Sequence, residues 1–217
     1  MNSLVELVQG AGNNDRVISA AYLKRLLGGS DARRYGLVNR ALKRGELLSV
    51  RRGQYVLADR FRHYPVSHFA LAQQMMPGSY ISTESALSFH GWIPEAVHTV
   101  VSMVHEGKSN QISHPVFGQF EFRRMTVKPG YFLHAVARHE LQQQVAFIAQ
   151  PLRALLDLIY LRKLSWQGLD FLLQGLRIDE QFIQEIKKPQ LNALLNVYQG
   201  KRERQFIHRL SEVLGNE

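Results

Sequence analysis

The chain has 217 residues, 45% apolar and 21% charged, with a net charge of +9 and no cysteine. This is the balance of a globular protein; disulfide and thiolate chemistry are excluded, and no apolar run of eighteen residues offers a membrane span. The opening Met1-Asn2-Ser3-Leu4-Val5-Glu6 has neither the basic cluster nor the apolar stretch of a secretory signal, so a cytoplasmic protein with no membrane partner is expected.

The charge is unevenly placed. Residues 1–62 hold twelve Lys/Arg against five Asp/Glu, a net +7, whereas residues 63–217 hold fifteen against thirteen, a net +2. A basic segment on a nearly neutral body is an electrostatic footprint for phosphate.

Leu4, Val5, Leu7 and Val8 form the apolar stripe of a first short helix, broken by the turn-forming run Gly10 to Asp15. Ser19 is placed to cap a second helix, in which Ala20, Leu23, Leu26 and Leu27 recur at helical spacing. Gly28-Gly29 stops it and Ser30-Asp31 caps the next. The third helix is expected over about Ala32 to Arg44, with Tyr35, Val38, Ala41 and Leu42 on its core face. Leu47–Arg51 and Gln54–Leu57 are β-prone runs around Arg52-Gly53 and read as a hairpin.

Helix, turn, basic helix and basic-tipped hairpin is the order of a winged helix-turn-helix. An α-helix fits the DNA major groove, where base edges carry a full donor and acceptor code. The expected contact residues are Arg33, Arg34, Asn39, Arg40, Lys43 and Arg44 on the helix, with Arg51 and Arg52 on the wing. Arg33 and Asn39 suit guanine and adenine edges, Arg51 and Arg52 suit phosphate or the minor groove, and Arg44 serves either DNA or the helix dipole.

A second domain is expected from residue 63, after a connector ending at Pro65. Residues 66–76 are amphipathic, and residues 82–90 form a helix capped by Ser82 and stopped by Gly91. His98–Val104, Phe117–Met125 and Tyr131–Val136 are candidate strands. From Pro151 onward the chain reads as helical, with Leu152, Leu155, Leu156, Ile159 and Tyr160 on a core face. The fold class expected is α+β: a winged helix-turn-helix over 1–62, then a larger mixed α/β domain over 63–217 with a helical C-terminal part.

Three stretches carry a family likeness: Leu42–Leu57, Tyr80–Gly91 and Ile148–Leu158. In this order they resemble the AbiEi-type antitoxins of type IV toxin–antitoxin systems. The resemblance implies an autorepressor that binds repeats in its own promoter. It also implies a functional pairing with a nucleotidyltransferase-like toxin encoded alongside, without a stable complex being required.

No metal or other cofactor is expected, because the histidine pairs His63/His68 and His134/His139 are five residues apart and no HExxH is present. No enzymatic activity is expected either: GxSxG, P-loop and GxGxxG patterns are missing. The alternative is a nucleic-acid-processing enzyme with Glu84, His90, Glu121 and Asp157 at its centre; a third reading is a module whose basic face binds an acidic protein.

Overall fold

A computed structural model describes residues 3–215. The first helix, α1 (Leu4–Gly10), starts at a reciprocal cap: Glu6 N donates to Ser3 Oγ (3.2 Å) and Ser3 N donates to the Glu6 carboxylate (2.9 Å). There follow β1 (Ile18–Ser19), α2 (Ala20–Leu27), α3 (Asp31–Lys43), β2 (Leu47–Arg51), β3 (Gln54–Leu57), a 3-10 turn at Asp59–Phe61 and α4 (His68–Met75). The three strands form an antiparallel sheet in the order β1-β3-β2. Ile18-Ser19, of which only the helix cap Ser19 is expected from the sequence, is a short strand. It pairs with Tyr55 and Gln54, but two residues are too few for a period of two to show. Val5, Val8, Ile18, Leu23, Val38, Ala41, Leu47 and Leu57 converge as one buried cluster beneath the helices and the sheet.

The second group comprises β4 (Tyr80–Ile81), α5 (Thr83–Phe89), β5 (Thr99–Val104), β6 (Asn110–His114), β7 (Gly118–Arg124), β8 (Val136–Leu141), β9 (Gln144–Ala149) and α6 (Pro151–Arg162). A π-helical turn at Phe171–Gly175 precedes α7 (Glu180–Gln184), α8 (Lys188–Leu195) and α9 (Lys201–Val213). The sheet is mixed, in the order β6-β7-β5-β4-β9-β8, with β5 parallel to β7 and β4 parallel to β9. Helices and sheets together make the chain α+β. The strand expected at Tyr131–Val136 begins where that range ends, at Val136; residues 132–135 are a turn.

The chain divides into two compact units: residues up to Pro77 together with Glu140–Val145, and Gly78–His139 together with the residues from Ala146. The division expected at 62/63 lies earlier than this. The connector and α4 belong to the first unit because buried polar contacts hold them there. Asp15 accepts from His63 N (2.7 Å) and Tyr64 N (3.0 Å), and Ser67 N donates to the Gln144 side chain (3.0 Å), which in turn donates to Pro65 O (3.0 Å).

The second unit is organised around a buried ion pair. Arg153 and Asp157, one helical turn apart on α6, are both 0% exposed and meet at 2.9 Å. Arg153 also donates to Tyr80 Oη (2.6 Å) and His134 O (3.0 Å). Asp157 accepts from Tyr80 (2.9 Å), Ser82 (2.7 Å) and Tyr198 (2.6 Å). Burial, followed by the nearby Asp157 charge, pushes both tyrosine hydroxyls well above their ordinary range, so they stay protonated donors. Burial opposes the charge on Arg153, but Asp157, Tyr198 and Tyr80 together outweigh it and the guanidinium is held charged. Ser82 stands at the expected start of α5, yet its hydroxyl goes to Asp157 and not to a helix amide.

Candidate nucleic-acid interface

The candidate surface is built from a turn that only glycine adopts easily. Gly28 ends α2 at φ 56° and ψ −163°, and Gly29 follows at φ 70°. Ser30 then caps α3 by accepting from Arg33 N (3.3 Å), and Asp31 complements the positive helix end. Val38 and Ala41 bury one face of α3, with Leu37 and Leu42 packed beside them. At 100° per residue, Ala32, Arg33, Gly36, Asn39, Arg40 and Lys43 fall on the opposite arc.

The structure sorts the eight expected contact residues. Arg33, Asn39, Arg40 and Lys43 are exposed on this arc, and among the described residues no hydrogen-bond or ion-pair partner engages their side chains. Arg44, exposed at the end of α3, lies 3.9 Å from Glu46. Arg52 is exposed at the hairpin tip beside Gly53, whose carbonyl accepts from Ala20 N at 2.7 Å.

Arg34 and Arg51 have partners within the chain, although Arg51 stays exposed. Arg34 is only 13% exposed; it pairs with Asp31 and donates to Gly29 O (2.8 Å), fastening the turn instead of facing outward. The reason is angular, since position 34 lies on the same side as Val38 and Ala41. Arg51 donates to the last carbonyl of α4, that of Met75. A register shift between Ser49 and Arg51 accompanies this, the kind of bulge that re-aims a side chain.

Tyr35, expected in the core, is 70% exposed. Leu37 and the stem of Arg34 complete the inner face in its place. Tyr35 borders a cleft of about 290 Å³ between α2, α3 and β3, which Lys24 also lines. Lys24 and Arg25 are exposed cations that the sequence reading passed over; their position outside the Leu23, Leu26 and Leu27 stripe was the available signal.

No protein-family model matches the chain, and no curated protein matches it. A solved structure does. The crystal structure of the RV2827C protein from Mycobacterium tuberculosis matches with a TM-score of 0.62 and 13% identity, over 96% of this chain and 75% of that one. At that identity the likeness is one of fold.

Of the four residues of the enzymatic alternative, His90 and Asp157 do not line the cavity that Glu84 and Glu121 share. Asp157 is consumed by the buried ion pair, and His90 shares its Nε2 with Ala149 O at 2.9 Å. Glu84 and Glu121 do line a common cavity, but Glu84 pairs with Arg162 and Glu121 with Arg123 (3.1 Å). Among the described residues, no group of three or more His, Asp or Glu is placed to hold a metal ion. No described helix is long and apolar enough to cross a membrane.

Proposed function

We propose that the chain is a sequence-specific DNA-binding transcriptional regulator whose first unit is a winged helix-turn-helix, acting as an autorepressing antitoxin of a type IV toxin–antitoxin system. The observation that carries the reading is the outward arc of α3, where Arg33, Asn39, Arg40 and Lys43 stand exposed on a helix whose other face is anchored in the core. Such a helix enters the major groove with its scaffold behind it. The element order of helix, strand, helix, three-residue turn, helix and hairpin supports the winged-helix assignment. Arg33 and Asn39 are the base-reading candidates, and Arg40, Lys43, Arg44 and Arg52 the phosphate contacts.

The antitoxin part rests on the resemblance carried by Leu42–Leu57, Tyr80–Gly91 and Ile148–Leu158. It assigns the operator to the protein's own promoter repeats and the functional partner to a nucleotidyltransferase-like toxin encoded alongside. The deciding experiment is a gel shift with the protein's own upstream region against random duplex of equal length. Specific regulators favour their operator by about 10³-fold or more. Equal affinity for both duplexes at every salt concentration would sink the reading.

A further inference from the structure

Tyr35 is 70% exposed on α3, and among the described residues no ring or hydrogen-bond partner engages its side chain. A ring left so far in water adds little burial to the fold. Its place on the helix is specific. Tyr35 precedes Asn39 by four residues, about 40° around the helix axis, so the two stand one above the other on the same shoulder of the outward arc. Tyr35 also falls in the N-terminal half of α3, the part of a recognition helix that comes nearest to base edges.

Cations flank this shoulder on both sides. Lys24 of α2 is exposed across the cleft that Tyr35 borders. Beyond Asn39, Lys43 and Arg40 follow around the arc, both exposed. An apolar ring and an amide thus lie between positive charges, on a segment of net charge +7 over residues 1–62. The charges complement the phosphates that border a DNA groove. The ring between them is matched by one feature of the major-groove floor, the thymine C5-methyl, since the other groups displayed there are hydrogen-bond donors and acceptors.

We propose that Tyr35 is a specificity-determining residue that reads a thymine in the major groove by packing its ring on the C5-methyl group, with Lys24 holding a phosphate at the edge of the same groove. The inference rests on the DNA-binding reading. It adds to that reading an apolar base contact and a cation on α2, outside the basic helix and the hairpin.

The test uses the full-length protein and the upstream duplex, with each thymine replaced in turn by deoxyuridine, which pairs alike and lacks only the methyl. Loss of the contacted methyl is expected to weaken wild-type binding about threefold to fivefold at one thymine of each bound site. Tyr35→Ala is expected to bind the unmodified duplex at least about threefold more weakly and to be indifferent to that deoxyuridine, whereas Tyr35→Phe, which keeps the ring, restores the penalty. Lys24→Ala is expected to lower the slope of log K against log salt by about 1 and to keep the deoxyuridine penalty; an unchanged slope removes Lys24 from the contact. The wild-type scan needs no variant, so the proposal stays testable should Tyr35→Ala not fold. Specific binding in which no thymine methyl matters, or a penalty that survives Tyr35→Ala, overturns the proposal and leaves the DNA-binding reading intact. Equal affinity of the wild type for upstream and random duplex removes both.

Discussion

A guanidinium with no exposed surface is tolerable only when each of its hydrogens finds an acceptor, and Arg153 meets that condition through Asp157, Tyr80 and the carbonyls around it. Removing one partner strands the other. Arg153→Met or Asp157→Leu is therefore expected to cost about 3–5 kcal/mol in urea unfolding. The double replacement should not recover that loss, because the hydroxyls of Tyr80, Ser82 and Tyr198 lose their shared acceptor; full recovery would show that the network is not cooperative. Asp15 offers a pH test. Burial raises its pKa, but hydrogen bonds from Tyr64 N, the His63 ring and His63 N outweigh it and leave the net value below the ordinary 3.8. A carboxyl whose folded pKa is lowered contributes stability above its unfolded value and loses it as pH falls through the folded one. The stability gap between wild type and Asp15→Asn is thus expected to be constant near neutrality and to shrink below about pH 4. A gap that persists to pH 2 would mean that the carboxylate charge does not matter there.

At the level of elements, the placement of α3 depends on two residues with positive φ. Gly28 at φ 56° and ψ −163° occupies a region that is nearly closed to side chains, although a Cβ there would meet no atom within 4 Å. Gly28→Ala is accordingly expected to cost about 1–3 kcal/mol through backbone strain alone, read by thermal or urea unfolding. The outward arc and the hairpin make separable predictions in DNA binding. Arg40→Ala plus Lys43→Ala should flatten the dependence of log K on log salt by about 2, one for each lost phosphate contact. Arg52→Ala should weaken binding to all duplexes alike, whereas Arg51→Ala should act on stability through the Met75 carbonyl and leave the salt slope alone. An unchanged slope in the double variant would remove the arc from the interface. Helices α2, α3 and α6 were legible in the sequence because caps and apolar spacing agreed. Strands β1 and β4 were not, since two-residue elements carry no period. The inward turn of Arg34 and the exposure of Tyr35 were misjudged for another reason. Apolar character was assigned by residue type, and the helix instead filled its inner face with Leu37 and an arginine stem.

For the molecule as a whole, the basic N-terminal third was visible from charge alone, but the extent of the first unit was not. Nothing in the composition of Glu140–Val145 marks it as belonging with residues 1–77; the segment packs with them, and its Gln144, a buried amide, both accepts from Ser67 N and donates to Pro65 O. Gln144→Ala is expected to destabilise the first unit by about 1–3 kcal/mol, seen as faster hydrogen exchange of the Ser67 and Ala70 amides. Exchange unchanged at those amides would detach the segment from the unit. The three stretches that carry the antitoxin resemblance divide in the same way. The first runs through the hairpin, while Tyr80, Ser82, Arg153 and Asp157 of the other two meet in the buried network. These buried positions therefore serve the scaffold, and the DNA contacts proposed above fall on residues that the scaffold leaves exposed.

The return of Glu140–Val145 to the first unit also sets a schedule. A ribosome adds roughly 5–20 residues per second, so the residues between Pro77 and Val145 take roughly 3–14 s to make. Through that interval the chain lacks Gln144, and Ser67 N and Pro65 O are without the side chain that bonds them in the finished protein. The first unit is then complete only once 62 of the second unit's 134 residues have been made, so the two units emerge interleaved, and neither is finished before the other has begun.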